Sequence, residues 1–149
     1  MPDHALAIPF PGLLDLVGVP NDLPPHVTVL FPAPRDVEAI TQVLASFDQF
    51  DVTFPRLDRF PGTLWLAPEP AEPFIALTQA MVARFPEWQP YGGVFKSVIP
   101  HLTVAQASPE EVAVQVEPLL PLQSRVERVV LYRESPQAGH WSEVATFDL

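Results

Sequence analysis

The sequence predicts an α+β fold made of two similar lobes, and three observations carry that expectation. A short motif occurs twice, half a chain length apart: Pro25-His26-Val27-Thr28-Val29 and Pro100-His101-Leu102-Thr103-Val104. Each copy is followed by a stretch of helical periodicity, and each helix by a β-rich hairpin pattern. Prolines, 20 among 149 residues, fall mainly where such elements join. In a chain that is 48% hydrophobic they punctuate short elements rather than mark disorder.

The elements follow in order. Ala5 to Ile8 reads as a short strand, followed by a helical piece through Leu13, Leu14 and Val17. The first motif is a strand. From Asp36 to Phe47, the residues Val37, Ile40, Val43, Leu44 and Phe47 recur at the spacing of one helix face. Asp51 to Phe60, a Pro61-Gly62 turn and Thr63 to Leu66 form a hairpin, with Pro55 placing its first strand at a sheet edge or in a bulge. Glu72 to Phe85 reads as a helix, with Pro73 early and Phe74, Leu77, Met81 and Phe85 on one face. Pro86 to Ile99 is a loop that enters the second motif strand. Beyond that strand Ser108 can cap a helix, Pro109 suits its first position, Glu111 completes a capping box and Pro118 ends it. Arg125 to Arg133, a turn over Ser135 to Gly139, and His140 to Leu149 form the second hairpin.

Length and hydrophobic content suit one domain over residues 1–149. No apolar run approaches the roughly 18 residues that span a bilayer, and Met1-Pro2-Asp3-His4 lacks the positive start of a secretion signal. The expectation is a cytoplasmic protein with no membrane partner. Cysteine is absent, which removes disulfides, a thiolate nucleophile and cysteine metal ligands. Eighteen acids against eight bases leave a formal charge of −10 and no Lys/Arg stripe. A long nucleic acid is normally held by neutralising many phosphates. A phosphate-bearing partner is therefore expected to be small, or held at one end; the same charge also serves solubility alone.

Side chains two apart on a strand share a face. His26 and Thr28 therefore point one way while Val27 and Val29 point into the core. His101 and Thr103 do likewise above Leu102 and Val104. If the two lobes oppose these faces, two imidazoles and two hydroxyls converge in one cleft. That set suits phosphodiester chemistry. One histidine takes a proton from the attacking oxygen while the other protonates the leaving oxygen, since an unperturbed imidazole titrates near neutrality. The threonine hydroxyls donate to the non-bridging oxygens, where charge grows in the transition state. Zinc hydrolases usually supply three protein ligands, and threonine is a poor one, so neither a metal nor another cofactor is expected.

With these two motifs the chain resembles the 2H phosphoesterase superfamily, which includes the 2'-5' RNA ligase-like proteins and cyclic nucleotide phosphodiesterases. The likeness extends over nearly the whole chain, including Val129-Val130-Leu131-Tyr132-Arg133 near the end. It implies a bilobal α+β fold with mainly antiparallel sheets, flanking helices, a central cleft and pseudo-twofold symmetry. It also implies metal-independent hydrolysis of 2',3'-cyclic or related phosphodiesters on a small nucleotide or an RNA terminus. By that resemblance His26 and His101 are the acid and base, and Thr28 and Thr103 bind phosphate. RNA-ligase-like members often carry an arginine a few residues past the second motif, where this chain has Ala105-Gln106. That departure argues against RNA ligation and tight polynucleotide binding. The competing expectation is a non-catalytic nucleotide- or RNA-end-binding module on the same fold. A monomer is expected, because two lobes already supply both halves of the site.

Other residues carry blander expectations. Lys96 reads as a solvated loop lysine, and Arg35 as flanking a helix start. Tyr91, Phe95 and Trp65 can stack on a base, with core packing or loop anchoring the simpler role. His4 reads as a mobile terminal residue, and His140 as a turn neighbour without a partner motif.

Overall fold

The computed structural model describes residues 3–13, 22–93, 98–106, 109–137 and 139–149. The elements run β1 (His4–Pro9), β2 (His26–Leu30), α1 (Val37–Leu44), β3 (Phe50–Phe60), β4 (Thr63–Glu69), α2 (Glu72–Arg84), β5 (Leu102–Ala105), α3 (Pro109–Val116), β6 (Leu122–Val126), β7 (Arg128–Glu134) and β8 (Trp141–Asp148). The strands form one sheet in the order β6-β3-β4-β5-β2-β1-β7-β8, and every pairing in it is antiparallel.

The sheet divides in the middle. The motif strands β2 and β5 share a single register pair, Val27 with Leu102, whereas the other neighbours pair along several residues. Two lobes of four strands meet there, β6-β3-β4-β5 and β2-β1-β7-β8, with a motif strand at the inner edge of each. This is the α+β, bilobal arrangement that the repeat predicts.

Alternation then fixes the faces. Leu57, Leu66, Leu102, Val27 and Ile8 lie in one register row across β3, β4, β5, β2 and β1. Leu66 and Leu102 are fully buried in that row, and Val27 and Ile8 nearly so, within the main core. The three helices contribute to this same core: Ile40 and Leu44 from α1, Phe74, Leu77 and Met81 from α2, and Val116 from α3. The Asp36 side chain caps α1 by accepting from the Ala39 N–H at 3.1 Å. Thr78 on α2 donates to the Val29 carbonyl at 2.7 Å, which ties that helix to the first motif strand. The opposite face carries His26, Thr28 and Thr103.

Several expectations change in detail. Arg125 to Arg133 is two strands, broken at Glu127: β6 pairs with β3 at one end of the sheet, and β7 pairs with β1 and β8 at the other. Each lobe therefore takes strands from both halves of the chain. Pro55 lies in the register shift between Thr53 and Arg56 of β3, a bulge, while β6 forms the sheet edge beyond it. His4 is in β1, with 8% of its surface exposed and its carbonyl accepting from the Ala33 N–H at 2.8 Å, so it is a core-edge residue and not a mobile one. His140 keeps its expected place beside the last turn, with its Nδ1 3.4 Å from Asp22 Oδ2. The helical piece through Leu14 and Val17 lies outside the described residues, as do the Ser108 cap, Phe95 and Lys96. Among the described residues no helix is long and apolar enough to cross a membrane.

Candidate active site

The antiparallel pair Val27–Leu102 organises the site. Extending that register by one residue each way sets His26 across from Thr103 and Thr28 across from His101. The two histidines then occupy one diagonal of a four-cornered patch and the threonines the other. Directly opposed Cβ atoms on a sheet lie about 5 Å apart and diagonal ones about 7–8 Å. All four side chains are half-buried. His101 immediately precedes β5, so its backbone is less restrained by the sheet than that of His26 at the start of β2.

Both imidazoles are held in the same way. His26 Nδ1 lies 2.9 Å from the Pro24 carbonyl, and His101 Nδ1 lies 2.7 Å from the Ile99 carbonyl, each two residues back along the chain. A carbonyl only accepts, so Nδ1 carries the proton in both rings and Nε2 is left as the acceptor nitrogen of the neutral ring. Burial pushes both pKa values below the ordinary 6.5, opposed in each case by the carbonyl bond. The charge of His101 lowers His26 further, so the two rings are close enough to sense one another.

Aromatic side chains wall the patch on both flanks. Beside the second motif, Phe60 stacks on Trp65 at 4.8 Å, and both meet the His101 ring edge-to-face at 5.2 and 5.9 Å. Trp65 is the register partner of Thr103 and is 4% exposed, so it packs rather than presents a free stacking face. Beside the first motif, Ala7 is the register partner of Thr28 and clusters with Val130 and Tyr132. An open cavity of about 560 Å³ lies on the His101 side, lined by Phe60, Tyr91, Ile99, His101, Thr103 and Gln106 among others. His26 and Thr28 do not line that cavity; they adjoin it across the β2–β5 junction.

Tyr91 completes the connection. Its hydroxyl is hydrogen-bonded to Thr28, and burial raises its pKa, which keeps the phenol protonated. Its backbone is left-handed, with φ 52° and ψ 36°, a conformation costing a non-glycine residue on the order of 1–2 kcal/mol. Among the described residues it is the one non-glycine with positive φ. The sequence offers Tyr91 as a stacking or anchoring residue and gives Phe60 no place at the site. The Tyr-Gly-Gly run was the available signal for the first, since adjacent glycines mark unusual backbone; Phe60 had none beyond its place before the Pro61-Gly62 turn. The described residues hold no group of three or more His, Asp or Glu side chains placed to bind a metal ion.

Comparison with known proteins agrees with this fold. The family model described as the 2'-5' RNA ligase superfamily matches residues 18–137. E. coli LigT, in a crystal structure with 3'-AMP, superposes with a TM-score of 0.66 at 18% identity, covering 100% of this chain and 99% of that one. TT0787 of Thermus thermophilus superposes with a TM-score of 0.68 at 20% identity, covering 100% of this chain and 98% of that one. A further structure described as a phosphoesterase superposes with a TM-score of 0.64 at 18% identity, covering 99% and 98%. No match emerges among curated proteins. A repeated motif, a sheet joined at the motif strands and a family match over most of its length together place this chain in the 2'-5' RNA ligase superfamily of 2H phosphoesterases.

Proposed function

We propose that the protein is a metal-independent phosphodiesterase that hydrolyses 2',3'-cyclic or related nucleotide and RNA-end phosphodiesters by two-histidine general acid–base catalysis. The observation that carries this reading is the matched holding of the two imidazoles. A neutral ring with its Nδ1 proton committed to a carbonyl offers a bare Nε2, which is a base. The same ring protonated offers Nε2–H, which is an acid.

In the proposed reaction one Nε2 takes a proton from water as its oxygen bonds to phosphorus. The bond from phosphorus to the 2' or 3' oxygen breaks, and the other imidazolium protonates that oxygen. The product is a ring-opened monoester. Placing the histidines on one diagonal puts acid and base on opposite sides of the phosphorus, as in-line displacement requires. Thr28 and Thr103, on the other diagonal, donate to the non-bridging oxygens; one such donor is worth roughly 10²–10³ in rate where it meets developing charge. That E. coli LigT was crystallised with 3'-AMP supports a nucleotide-sized ligand.

The test is hydrolysis of a panel of 2',3'-cyclic nucleotides and short 2'-5'-linked oligonucleotides in EDTA. Turnover of cyclic substrates in EDTA is expected. Nucleotide binding by calorimetry without turnover of any member would instead establish the binding module, and activity that needs added metal would refute the mechanism.

A further inference from the structure

Residues 85–93, the described stretch that follows α2, reach the first motif strand. Tyr91 N–H donates to the Phe31 carbonyl at 2.6 Å, just beyond β2, and its ring lies 6.4 Å from that of Phe31. Phe31 in turn meets Trp141 edge-to-face at 6.1 Å. The Tyr91 hydroxyl is hydrogen-bonded to Thr28, while the residue also lines the cavity shared by His101 and Thr103. One side chain thus touches the first motif from the loop that leads into the second.

The backbone strengthens the point. Gly92 and Gly93 follow with φ of 67° and 79°, so the chain is left-handed over three consecutive residues. Glycine would hold the first of these positions at no steric cost. Here the strain falls on a residue whose side chain reaches both Thr28 and the cavity, and observed strain of this kind points to a functional demand.

A threonine hydroxyl rotates freely and can aim its proton or its lone pairs in several directions. A hydroxyl meant to donate to a phosphoryl oxygen works best when its direction is fixed beforehand. We propose that Tyr91 is a positioning residue that fixes the Thr28 hydroxyl for the phosphoryl group. The inference rests on the reading of Thr28 as a phosphate donor. It makes the two motifs functionally unequal, since the loop that carries Tyr91 serves the first motif's threonine.

The experiment is a double-mutant cycle on a 2',3'-cyclic nucleotide with Tyr91→Phe, Thr28→Val, Thr28→Ser and the combinations. Tyr91→Phe removes one oxygen and keeps the ring, so its thermal midpoint should stay near that of the wild type. It should lower kcat about tenfold and change KM less than about twofold. The loss should persist in Thr28→Ser, which keeps the hydroxyl, and vanish in Thr28→Val, which lacks it. An unchanged kcat in Tyr91→Phe, or the same loss in the Thr28→Val background, overturns the inference while leaving the hydrolase reading intact. Absence of turnover in the wild type overturns the hydrolase reading instead. Titration with orthovanadate and a nucleoside, whose cyclic five-coordinate adduct resembles the transition state, then decides the inference alone. Weaker binding in Tyr91→Phe that depends on the Thr28 hydroxyl supports it, and equal binding overturns it.

Discussion

Leu102 supports both the sheet and the site, and its truncation separates those two roles. It is fully buried, it pairs with Leu66 on one side, and it forms the lone register contact with Val27 on the other. Leu102→Ala removes three carbon atoms, a transfer loss of about 2.4 kcal/mol at about 0.8 kcal/mol per methylene-sized group. The cavity left in the core beneath the β2–β5 junction, which its surroundings fill only in part, adds to this and brings the expected cost to about 3–4 kcal/mol. For a domain of this length each kcal/mol moves the midpoint by about 2–4 °C, so a fall of about 6–16 °C follows in a thermal scan. The comparison variant is Leu131→Ala, equally buried but on β7, two strands from the motif strand. Its stability should fall by a similar amount. Assayed well below both midpoints, Leu102→Ala should also lose kcat/KM, because the junction that sets the diagonal of histidines has relaxed; Leu131→Ala should not. A cost under about 1 kcal/mol for Leu102→Ala, or equal losses of kcat/KM in the two variants, refutes this role for the junction.

Other outcomes follow from the same geometry. Two coupled histidines, both held below 6.5 chiefly by burial, should give a bell-shaped pH profile of kcat/KM centred on the acid side of 6.5; a flat profile between pH 5 and 9 would contradict the roles assigned to them. The same shifts link stability to pH. Because burial depresses these pKa values in the folded protein, the unfolded chain binds more protons below pH 6.5, and the stability they contribute is present above 6.5 and lost as pH falls through the folded values. The His26→Asn/His101→Asn double variant should therefore lose less of its thermal midpoint between pH 7.5 and 5.5 than the wild type; an equal loss would count against that linkage. Gly62 sits at φ 75° in the β3–β4 turn, and a methyl added there would meet nothing within 4 Å, so Gly62→Ala should cost about 1–2 kcal/mol through backbone conformation alone. A neutral result by denaturant titration would show that the turn adopts another geometry.

That two motif strands share a pattern is easier to read from the sequence than the strand order. His26-x-Thr28 and His101-x-Thr103 each declare themselves through alternation, because Val27 and Leu102 fix which way their neighbours face. The helices carry local signals too: Pro73 near an N-terminus and the apolar stripe through Phe74, Leu77 and Met81. Pairing partners are non-local. Nothing in Leu122 to Val126 announces that it lies against Phe50 to Phe54 rather than continuing into Arg128 to Glu134, since both stretches are β-prone and one residue separates them. Tyr91 escaped for a similar reason. Its meeting with Thr28 depends on where a long loop crosses the sheet, which periodicity does not encode.

The decisive measurement is kcat/KM for a 2',3'-cyclic nucleotide in EDTA for the wild type, His26→Ala, His101→Ala and the double variant. General acid and base contributions of roughly 10²–10⁴ each are expected. Because the two imidazoles act as a unit, the double variant should lose far less than the product of the single losses. Wild-type activity in either single variant would show that the matched histidines do not carry the reaction.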